Sequence, residues 1–97
     1  MDMYTIMDQA RTAMMNSLNL TGIQKEELAY RFGALAENVK NYGEIEMAED
    51  AVRLDGILNF LAATGALREI EYENLLELLR DVMDSGIIER SKENDIR

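Results

Sequence analysis

Ninety-seven residues, 47% hydrophobic and 30% charged, with a net charge of −9 at neutral pH, describe one small acidic globular domain. The chain has no cysteine or histidine, which excludes disulfides, thiolate and imidazole nucleophiles, and the usual zinc ligands. Its ten Lys and Arg are dispersed rather than gathered in one window, so nothing offsets the repulsion between this charge and a phosphate backbone or an anionic membrane.

The opening "MDMYTIMDQA" carries an acid in second place and polar interruptions, a pattern unlike a secretory leader. A first helix is expected over about residues 3–18, where Met3, Ile6, Met7, Ala10, Ala13, Met14 and Leu18 follow the three-and-four rhythm of one helical face. Tyr4 and Met15 fit that face worst. "NLTG" breaks the pattern. Thr21, followed three residues later by Gln24, is the Ser/Thr-x-x-Glu/Gln signature of a reciprocal helix cap.

The second helix is expected over 22–42. Leu28, Phe32, Leu35, Val39 and Tyr42 alternate spacings of four and three, a heptad seam, and Glu27 and Arg31 form an i,i+4 pair. On this reading Gly33 is a packing residue inside the helix, while Gly43 ends or kinks it. The third helix, about 45–64, begins among acids (Glu44, Glu46, Glu49, Asp50), which suit a helix start. Met47, Ala51, Leu54, Leu58 and Leu61 repeat the four-three seam, and Ile57 and Phe60 widen it, so this helix is expected to be the most buried. Close approach of a neighbouring backbone is expected at Gly56, and Gly65 is expected to end the helix. Its most apolar stretch, "GILNFLAATGAL", falls short of the ~20 residues that span a membrane.

The fourth helix, about 69–84, turns Tyr72, Leu75, Leu76, Leu79, Val82 and Met83 inward and Glu73, Glu77, Arg80 and Asp84 outward. Leu78 is expected to be exposed. Ser85-Gly86 reads as its stop, with Ile87 folding back on Val82. "RSKENDIR" has no periodicity. The expectation is therefore an all-α domain over 1–88, an antiparallel four-helix bundle in up-down-up-down order, followed by a flexible tail over 89–97.

"QKEELAYRFGALAENV" resembles the helix-turn-helix family found in many bacterial repressors. Leu28 and Ala29 stand in the places of its first helix, Gly33 in the place of its turn and Val39 in a core position of its second. The resemblance implies a DNA-binding regulator centred on Gln24–Lys40, with Ala36, Glu37, Asn38 and Lys40 turned towards base edges. The stretch departs from the family at Leu35, where a capping Ser or Thr is usual, and in offering Lys40 as the sole cation of the reading face. The same letters also read as one unbroken amphipathic helix with Phe32, Leu35 and Val39 on one seam, and that is the expected course.

Glu46-x-x-Glu49 and Asp81-x-x-Asp84 pair carboxylates at the spacing of a cation site, which is also the spacing of solvated surface acids. The isolated glycines form no phosphate-binding loop. The expected function is accordingly non-enzymatic: a cytoplasmic protein–protein interaction module, binding another protein or a second copy of itself, with no cofactor, metal, membrane or small-molecule substrate. Tyr4, Met7, Met14 and Met15 on the first helix and Leu54 and Ile57 on the third are its candidate contact residues, methionine being suited to adaptable surfaces. Two acidic patches, Glu44, Glu46, Glu49 and Asp50, and Glu69, Glu73 and Glu77, are suited to a basic partner, and one version of the reading has the acidic bundle imitate nucleic acid.

Overall fold

The computed structural model describes residues 2–41 and 44–95 and, among them, the side chains of 2–39 and 48–86. Four helices follow in order: α1 (Met3–Met15), α2 (Gly22–Asn41), α3 (Glu44–Ala63) and α4 (Glu69–Asp95). Tyr42, Gly43 and the side chains of Met47 and Ile87, to which the expected seam and helix stops refer, lie outside the described residues. No described helix is long and apolar enough to cross a membrane.

Side chains close the helix starts. The Asp2 carboxylate accepts the Thr5 N–H at 2.7 Å, and that bond holds its pKa below the ordinary value. At α2 the reciprocal cap forms in full: Gln24 N–H donates to Thr21 Oγ1 at 3.1 Å, and Thr21 N–H donates to Gln24 Oε1 at 2.9 Å. α1 ends at Met15 rather than Leu18. Asn16 caps it, Ser17 turns inward, and Leu18 is left 73% exposed while Leu20 takes the core position beneath the turn. Polar Asn and Ser compete for backbone bonds, so the apolar rhythm outlasts the helix.

α2 runs unbroken through Gly33, so the turn required by the helix-turn-helix resemblance is not formed. Gly33 is exposed with nothing near it, and its expected packing role is corrected. Leu28, Phe32, Leu35 and Val39 are fully buried, each such side chain contributing ~1.5–3 kcal/mol of burial. The Glu27–Arg31 pair forms at 2.9 Å on the surface, where such pairs are worth a few tenths of a kcal/mol.

α3 ends as anticipated. Gly65 adopts φ +83°, its N–H reaches Ala62 O at 3.2 Å, and Leu67 N–H reaches Leu61 O at 3.1 Å. α4 does not stop at Ser85-Gly86 but continues to Asp95, replacing the expected tail over 89–95 with helix. The pair sits buried against α2: a Cβ on Gly86 would fall 2.6 Å from both Cβ and Cγ2 of Val39. Glycine serves there as the point of closest approach between helices, not as a terminator. Leu78 is also corrected, since it is 5% exposed and belongs to the core.

Among the described residues α2 and α4 each touch every other helix, whereas α1 and α3 make no contact with one another. In cross-section the helices thus form a rhombus with α2 and α4 on the short diagonal. α1 and α3 occupy its acute corners, where a helix has fewest neighbours. α4, at 27 residues and ~1.5 Å per residue, accounts for most of the 48 Å length.

Candidate functional site

The corner position of α3 governs what it exposes. Ala51, Leu54, Leu58 and Leu61 turn into the core. Opposite them, at ~100° per residue, Ala48, Val52, Gly56 and Phe60 recur every fourth residue, and Ala63 continues the stripe. All five face solvent, with Val52 70% and Phe60 66% exposed. α3 is therefore not the most buried helix, as its composition suggested. Its outward side interleaves these apolar residues with exposed Glu49 and Asn59, and only the inward side is covered.

Two shallow grooves flank the stripe. Towards α2, Arg31, Arg53, Gly56, Ile57 and Phe60 line a groove of about 350 Å³. Towards α4, the opposing groove of about 340 Å³ is lined by Val52, Asp55, Tyr72 and Arg80 among others, and nearby Tyr72 Oη donates to Asn59 Oδ1 at 3.1 Å. Gly56 lies between them, and no described atom beyond its own turn of helix stands within 4 Å of where its Cβ would be. A glycine inside a helix costs ~0.5–1 kcal/mol relative to alanine, and nothing among the described residues exploits the missing side chain. Among the described residues, the backbone approach expected there is absent.

A second feature joins the loop after α1 to the start of α4. Glu71 accepts Arg68 N–H at 2.9 Å, Leu18 N–H at 3.2 Å and Arg68 Nη2 at 3.4 Å, and it forms an ion pair with Arg68 Nε at 3.3 Å, with only 11% of its side chain exposed. The buried Ser17 hydroxyl lies beside it without meeting full hydrogen-bond geometry. Burial pushes the Glu71 pKa up, but the Arg68 N–H, the Arg68 side chain, Ser17 and the Leu18 N–H outweigh it and bring it down to about 2. A carboxylate held this firmly as an anion is a poor proton acceptor at neutral pH, and its role is to anchor. Asn19 Nδ2 adds a bond to Gly65 O at 3.3 Å, so the α1–α2 and α3–α4 connections are tied to one another.

The residues singled out from sequence are scattered by the fold. Tyr4 (86% exposed) and Met15 (63% exposed) lie on one face of α1, three turns apart. Met14 and Leu54 are buried core residues, 2% and 1% exposed, and cannot line a contact surface. Met7 and Ile57 are half-buried against the core. Glu49, Glu69, Glu73 and Glu77 are exposed, and Glu73 and Glu77 share a shallow depression with Ile70 and Asn74. Asp50 is half-buried and accepts a hydrogen bond from Asn38 Nδ2. The side chains of Glu44 and Glu46 lie outside the described residues. Among the described residues no three acids converge as they would around a metal ion.

Sequence reasoning missed Val52 and Phe60, although the four-residue recurrence from Ala48 to Phe60 was a readable second stripe. It also missed Glu71 as an anchor, for which Arg68-x-x-Glu71 at a helix start was the signal. No known family matches the chain, and no curated protein or solved structure is significantly similar to it.

Proposed function

We propose that the chain is a non-enzymatic protein-interaction module, built as an antiparallel up-down-up-down bundle, that presents the outward face of α3 to another protein. One observation carries this reading: Val52 and Phe60 stand 70% and 66% exposed on one helical stripe, with an open glycine between them. Two large apolar side chains separated by a bare backbone make a contact surface with a raised point at each end and a recess between. Desolvating a phenylalanine of this kind is a common source of binding energy at protein interfaces. The unbroken course of α2 through Gly33 counts against the DNA-reading alternative, which requires a separate second helix.

The test compares the natural chain with the Val52→Lys/Phe60→Lys variant, which leaves every buried residue in place. Proteins retained by the immobilised natural chain and lost by the variant would support the reading. Equal retention by both, with the variant still folded by circular dichroism, would overturn it.

A further inference from the structure

We draw no further inference here: the strongest candidate, the outward stripe of α3 from Val52 to Phe60, already carries the interaction reading, and with charges of both signs on each flank, Arg53 beside Glu49 and Arg80 beside Asp55, nothing in the structure shows what covers it.

Discussion

Gly86 and Gly56 both sit inside helices of the same bundle, and their surroundings are opposites. At Gly86 α4 presses on α2 so closely that a single added carbon would collide with Val39. At Gly56 the backbone of α3 lies open, flanked by exposed Val52 and Phe60. The intrinsic cost of glycine in a helix is the same at both positions. The α2–α4 crossing offsets that cost with close packing, whereas the outward face of α3 leaves it unmatched among the described residues.

Substitution at Gly86 should break this comparison most strongly. Gly86→Ala places a rigid Cβ against the Val39 Cβ and is expected to cost about 3 kcal/mol, the upper part of the range for overpacking. In a domain of this size each kcal/mol lowers the melting temperature by ~4–8 °C, so a calorimetric scan will register it. An unchanged melting temperature would show that the crossing is loose.

The Glu71 anchor should give the next largest effect. Its pKa is lowered from 4.5 to about 2 on folding. The stabilisation is therefore fully present above the unfolded value and is lost as pH falls through the interval between 4.5 and about 2. Allowing for partial solvent screening, the loss is about 2 kcal/mol. Urea unfolding at stepped pH should show this acid-side decline, and Glu71→Gln should lower stability at neutral pH while flattening the decline.

Gly56→Ala tests the other half of the comparison and carries the opposite sign. With nothing within 4 Å of the new Cβ, the isolated chain should gain ~0.5–1 kcal/mol from helix propensity. The same change should weaken binding of a partner to the α3 face by filling the recess between Val52 and Phe60. Melting of the isolated chain and retention of proteins by the immobilised variant would separate the two effects. The smallest change expected is from Glu27→Gln, which removes a surface pair worth ~0.3–0.5 kcal/mol and should shift the urea midpoint barely beyond error.

Much of the fold was legible because helical periodicity is a local property. The seam Leu28–Phe32–Leu35–Val39, the Thr21/Gln24 cap, the left-handed Gly65 and the Glu27–Arg31 pair each depend on residues within about one or two turns. The errors came where a residue's partner lies far along the chain. Ser85-Gly86 has the letters of a helix stop, and only the presence of Val39 across the interface turns it into a crossing point. Met14 and Leu54 looked like surface candidates, and Phe60 like core, because periodicity states which residues share a face but not which face meets a neighbour.

The sequence by itself determined four amphipathic helices, the starting cap of the second and the acidic charge of the chain, since these follow from backbone bonding, side-chain spacing and charge. Tertiary structure alone decided that α1 and α3 stand apart, that Gly86 is enclosed while Gly56 is open, and that Glu71 gathers a loop from more than fifty positions away. Those outcomes rest on which helices become neighbours, a choice made by the packing of whole surfaces against one another.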